Sequence, residues 1–164
     1  MVKKFLYLSL FQSCIFSFAQ NANELKIDGL GLAFNRYGIS YERLFEPNSG
    51  VGLKLIMKRA EDYYAIPYYR YYFGGNYDDD KLFVEGSGLY YSYDSKDYDG
   101  NIYDGGKRNS ILGAGIGFGA KTRLSSNFII EGVASSGIGK VLMATSESKY
   151  KIILQISVSV GYQF

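Results

Sequence analysis

The residues able to do chemistry in this chain are few, and what is missing matters most. There is no histidine, and the single cysteine is Cys14. Without histidine the commonest general base, the triad base and most zinc sites are absent. A serine with a lysine base remains in principle, but no spacing supports it. No catalytic residue, metal ligand set or cofactor motif is therefore expected. What remains are charges placed at alternate positions inside apolar stretches: Glu42, Lys54, Lys58, Arg70, Glu85, Lys121 and Glu131. Their chemistry is pairing. They form a lumen network if the stretches close into a barrel.

A second charged group lies in the loop Asp94 to Gly106, with Asp97, Tyr98, Asp99, Tyr103 and Asp104. Its spacing matches a calcium loop only in part, since no glutamate closes it. Tyrosine, glycine and asparagine there also suit adaptable surface contacts, and a plain solvated loop has the same composition. The glycines at 113, 115, 117 and 119 could suggest a phosphate cradle. They keep a two-residue step inside a strand pattern, however, whereas a cradle needs a turn into a helix. Small inward residues making room for larger ones opposite explain them better.

The elements that must position these charges are strands. From Lys151 to Phe164, apolar Ile152, Leu154, Ile156, Val158, Val160, Tyr162 and Phe164 alternate with Ile153, Gln155, Ser157, Ser159, Gly161 and Gln163. Period-two alternation means a strand with one apolar and one polar face. Its length exceeds the 9–11 residues or so that a tilted transmembrane strand needs. Seven further stretches follow the pattern: 26–34, 37–45, 51–59, 63–73, 82–93, 111–122 and 127–137. Leu30, Leu32 and Phe34 supply the apolar face of the first. The 63–73 stretch is aromatic on both faces, and Pro67 removes one ladder hydrogen bond, implying a bulge or weak point. The expected fold is all-β: an eight-stranded antiparallel up-and-down transmembrane barrel over residues 20–164. The long connections, 95–110 and 138–150, both fall on the outer side, as small barrels require.

Ahead of the barrel, Lys3-Lys4, an apolar run from Phe5 to Phe18 and Ser17-x-Ala19 form a secretory signal pattern over residues 1–19. Removing Lys3 and Lys4 leaves 18 − 2 = 16 basic residues against 16 acidic ones. A neutral mature chain has no basic footprint for nucleic acid.

The runs Pro67 to Gly74, Phe83-Val84-Glu85-Gly86 and Gly113 to Lys121 resemble the small outer-membrane barrels of Gram-negative bacteria, a DUF-type group with an OmpX/OmpA-like fold. The resemblance spans the mature chain and implies no established activity. The small-barrel enzymes it brings into comparison use a histidine, which this chain lacks. It implies outer-membrane lipid and the barrel-assembly machinery as partners, with Tyr162 and Phe164 carrying the assembly signal. An extracellular ligand or protein at the outer loops completes the expected partners. The expected role is non-catalytic, with a polar lumen plugged by side chains and a structural or surface-interaction function. A narrow channel for small solutes and a soluble periplasmic lipocalin-like binder are the alternatives. The lipocalin reading would turn every apolar face inward.

Overall fold

The computed structural model describes residues 23–46, 48–58, 62–73, 80–94, 108–142 and 150–164. The expected signal segment, residues 1–19, lies outside them, as do Asp97, Tyr98, Asp99, Tyr103 and Asp104. Eight strands close into an antiparallel barrel in chain order. They are β1 (Asn23–Asp28), β2 (Arg36–Glu46), β3 (Ser49–Lys58), β4 (Asp62–Phe73), β5 (Lys81–Asp94), β6 (Arg108–Arg123), β7 (Phe128–Val141) and β8 (Tyr150–Gln163).

The ladders fix the barrel's geometry. Partners of Ile27 lead round the wall through Ile39, Leu55, Ala65, Tyr90, Leu112 and Lys140 to Tyr150. Across the seam, Ile27 faces Val160 directly. The circuit thus closes 160 − 150 = 10 residues out of step. At ordinary strand spacings, that stagger over eight strands sets a tilt of about 40°.

Burial is inverted relative to a soluble barrel. Leu25, Ile39, Leu53, Tyr69, Val84, Phe118 and Ile156 point outward and are exposed, whereas Glu24, Lys26, Glu42, Arg70 and Glu131 point inward and are buried. A soluble lipocalin-like barrel needs the opposite facing. Aromatic side chains gather outside near the 47–48 and 124–127 turns, where Tyr71 meets Phe73 and Phe128 meets Tyr162. Outward charges sit towards the strand ends, with Arg43 near the end of β2 and Lys140 near the end of β7.

The first strand differs from the expectation of a strand over 26–34. β1 stops at Asp28, and Gly29–Ala33 is a helical turn, α1. The Asp28 side chain caps it, accepting from the Gly31 N–H at 2.9 Å. A Cβ on Gly31 would sit 2.7 Å from Asp28 Oδ2 and 2.9 Å from the Arg36 carbonyl, so only glycine fits. Asn35, at φ 54°, then reverses the chain into β2. Leu32 and Phe34 are exposed on this turn rather than on a strand.

Two more boundaries shift. β6 begins at 108 and β7 runs to 141, so both long connections are shorter than expected. Ile138 belongs to the ladder, opposite Ala114 and Ile152. Pro67 makes no bulge. The β4–β5 ladder passes over Ile66 and Pro67 and resumes in the same register.

Small inward residues on β6 face large ones. A Cβ on Gly119 would lie 2.4 Å from Phe83 Cζ and 2.5 Å from the Gly132 carbonyl, whereas a Cβ on outward Gly132 meets nothing within 4 Å. Gly119→Val is therefore expected to cost about 1–3 kcal/mol or more by overpacking. Gly132→Ala is expected to stay within about 0.5 kcal/mol. Urea unfolding midpoints of the two variants check the contrast.

Candidate functional site: an ion network in the lumen

Strand parity sends alternate side chains into a lumen that eight strands leave only wide enough for side chains. Six of the seven expected lumen charges lie buried there: Glu42, Lys54, Arg70, Glu85, Lys121 and Glu131. Lys58 does not. It has the inward parity of Lys54 and Ile56, but it is the last residue of β3 and is exposed at the rim. Parity gives a side chain's direction and says nothing of its height.

The centre of the network is Lys26. Its ammonium donates to Glu42 Oε2 and Glu131 Oε2, both at 2.6 Å. Glu24 Oε2 lies 2.9 Å away. Those three carboxylates bring oxygens within 4.8 Å of one another, a cluster of the kind that holds a metal ion. Here the Lys26 ammonium fills the position a cation would take.

Arg70 is the second hub. Its Nη1 donates to Glu42 Oε2 at 2.8 Å and to Glu131 Oε2 at 2.6 Å, and its Nε donates to Glu85 Oε2 at 2.8 Å. The guanidinium lies between two rings, 4.4 Å from Tyr68 and 4.3 Å from Phe83. Stacking of this kind suits a weakly hydrated, planar cation. Lys121 donates to Glu24 Oε1 at 2.6 Å and lies 4.3 Å above the Tyr72 ring. The Tyr72 hydroxyl donates to Glu42 Oε1, and Tyr68 donates to Glu42 Oε2 at 3.3 Å.

Lys54 stands apart. It is buried, yet its one hydrogen bond is to Ser157 Oγ at 3.5 Å. It takes part in none of the network's ion pairs among the described residues, which join Lys26, Arg70 and Lys121 to Glu24, Glu42, Glu85 and Glu131.

Apolar side chains flank the network on both sides. Leu44, Tyr72, Phe83 and Val133 form one cluster. Leu44 and Tyr72 follow Glu42 and Arg70 towards the 47–48 and 74–80 end. Ile56, Ile66 and Leu89 form the other, with Tyr64 and Ile153 packed on it, towards the opposite end. Between the network and this second cluster is a cavity of about 20 Å³, lined by Ser87, Ser135 and Gln155 among others. It has room for about one water.

The sequence reading missed Glu24, Lys26, Tyr68 and Tyr72 as network members. Lys26 shares the parity of Leu30, so a strand through 26–34 turned it outward. The signal was present in Glu24-Leu25-Lys26-Ile27-Asp28, which alternates by itself. Tyr162 and Phe164 lie outside the wall, stacked with ring centroids 6.4 Å apart.

Neither a family model nor a curated protein sequence matches the chain. Among solved structures, the chain is similar to the N-terminal β-barrel domain of Pseudomonas aeruginosa OprF. The TM-score is 0.59 at 16% identity, over 88% of this chain and 98% of that one. At that identity the likeness shows the fold, a closed eight-stranded antiparallel barrel.

Removing one partner from a buried ion cluster leaves uncompensated charge. Arg70→Met is expected to cost about 3–5 kcal/mol. Lys54→Met, which breaks no ion pair, is expected to change stability by less than about 1 kcal/mol. Equilibrium unfolding of both variants in the same detergent measures the difference.

Proposed function

We propose that this chain is a non-catalytic barrel that spans a bacterial outer membrane, with its lumen plugged. One observation carries this reading: apolar side chains face outward around the wall while the charges face inward. Arg or Lys facing lipid near the midplane costs roughly 2–4 kcal/mol, so inward charges and an outward apolar band suit a bilayer. A wall made of strands also satisfies its backbone polar groups from strand to strand, as hydrocarbon demands.

The plug follows from the same geometry. Ions crossing the lumen would have to displace Arg70 and Lys26 from their carboxylates and pass two apolar clusters. The role is then structural, or it lies in surface contact at the end bearing the 95–107 connection. Residues Asp97, Tyr98, Asp99, Tyr103 and Asp104 are the proposed contact residues there, on their composition alone. Tyr162 and Phe164, exposed side by side, are the proposed contact for the assembly machinery.

Recordings in planar bilayers test the plug. The inserted protein is expected to give no steady conductance. A steady conductance that shifts in Arg70→Gln or Glu85→Gln would overturn the plugged lumen in favour of a narrow channel.

A further inference from the structure

The outward side chains of β5 to β8 stand at uneven heights. Leu82, Ala120, Gly132 and Val158 form one cross-strand row, and Val84, Phe118, Ala134 and Ile156 form the next. Three successive outward residues of β7, Gly132, Ala134 and Ser136, are small. Beside them stand Ile116 and Phe118 of β6 and Leu154 and Ile156 of β8, all more than half exposed. A trough therefore runs along β7. It consists of two grooves, of about 390 and 850 Å³, that lie end to end, with Gly132 lining the first and Ala134 the second. A Cβ built on Gly132 meets nothing within 4 Å, so the floor is open there.

The dimensions of the trough select what can fill it. From Thr122 to Ile116 it follows β6 for 122 − 116 = 6 residues, which is about 20 Å at ordinary strand rise. At a tilt of about 40° this spans about 15 Å of depth, half of a hydrocarbon core about 30 Å thick. That is the depth of one leaflet. The width is set by β6 and β8, whose backbones lie two strand spacings apart, about 9.5 Å, before their side chains narrow it. An α-helix, about 10–12 Å across, is too wide to enter. Another barrel of this kind fits no better. In the same orientation its strands would cross β7 at about twice the tilt, near 80°, and meet the trough at one point. A single hydrocarbon chain is narrow and straight enough.

The end at Thr122 has a polar lip. Asp80 is exposed there, and its carboxylate accepts from the Thr122 hydroxyl. The other ionisable residues lining this groove, Lys81, Lys121 and Glu131, are buried. The accessible charge at the mouth is thus a carboxylate, and its complement is a cation.

We infer that the trough holds one acyl chain of a phospholipid whose primary ammonium head group pairs with Asp80, in the leaflet at the 124–127 end. The inference rests on the membrane reading above. Within hydrocarbon no water is released by the contact, so close packing holds it: an unfilled trough would leave its lining without neighbours. An anionic head group would meet Asp80 with like charge.

Native mass spectrometry of the full chain in mild detergent tests this, with phosphatidylethanolamine and phosphatidylglycerol of identical acyl chains as probes. One retained phosphatidylethanolamine per chain is expected. Phosphatidylglycerol is expected to be held about fivefold more weakly, the scale of one exposed ion pair. Filling the trough, in the double variant Gly132→Leu and Ala134→Leu, is expected to weaken retention of both lipids about tenfold or more. Ala65→Leu adds bulk to the outward face of β4 instead and is expected to leave retention unchanged. Asp80→Asn, away from the trough floor, is expected to keep a lipid and lose the preference between the two. Folding of each variant is read from its circular dichroism. No retained lipid, undiminished retention in the filled variant, an unchanged preference in Asp80→Asn, or a dimer in place of the lipid overturns the inference and leaves the membrane reading standing. Recovery in the soluble fraction without detergent overturns the membrane reading, and the inference with it.

Discussion

The ammonium of Lys26, within reach of carboxylates from three strands, is the contact on which this barrel depends. It lies on β1 and binds Glu42 of β2 and Glu131 of β7. Glu24, also on β1, holds Lys121 of β6. Closing the seam and neutralising the lumen are therefore one event. Without β1 in place, Glu42 and Glu131 keep only Arg70 as a cationic partner among the described residues, and Lys121 loses its carboxylate. A charge buried without its partner costs several kcal/mol, so an open sheet with these side chains folded inward is strongly disfavoured.

The rest of the lumen serves that cluster. Tyr68 and Phe83 flank the guanidinium of Arg70, and Tyr72 closes over Lys121 while bonding Glu42. Gly119 on β6 leaves space for Phe83. Apolar clusters flank the network on either side, and a low-dielectric setting strengthens each ion pair and makes each one harder to leave unmade. Inside the wall, charges must be paired; along the wall, backbone groups must be. The second demand is met along the ladders of the described strands, except where β4–β5 pairing passes over Ile66 and Pro67 and where β8 runs past the end of β1.

Most of the architecture was legible in residue order. On β6 and β8, glycine, serine and glutamine alternate so cleanly with Leu, Ile, Val and Phe that parity fixes the facing. Glu42, Arg70, Glu85, Lys121 and Glu131 could be read as inward because each sits on the polar phase of such a strand. Parity failed where the chain left the strand. Leu30, Leu32 and Phe34 imitate a strand face, but Asp28 and Gly31 favour a capped turn, and the phase before the turn is unrelated to the phase after it. Hence the parity of Leu30, Leu32 and Phe34, carried back along the chain, points Lys26, the hub, to the wrong side. Lys58 failed differently, since its phase is right and only its height at the rim keeps it out of the lumen. The partnership of Glu24 with Lys121 depends on a ten-residue stagger that no local pattern carries.

The central claim is that the wall has lipid outside and a dry ion network inside. The chain contains no tryptophan, so single-tryptophan variants in bilayers containing brominated lipid test it directly. Phe118→Trp faces outward in the middle of the apolar band, and Phe83→Trp faces the network. Strong quenching at position 118 with little at position 83 is the expected result. Equal quenching at both positions, or quenching at 83 alone, would contradict it.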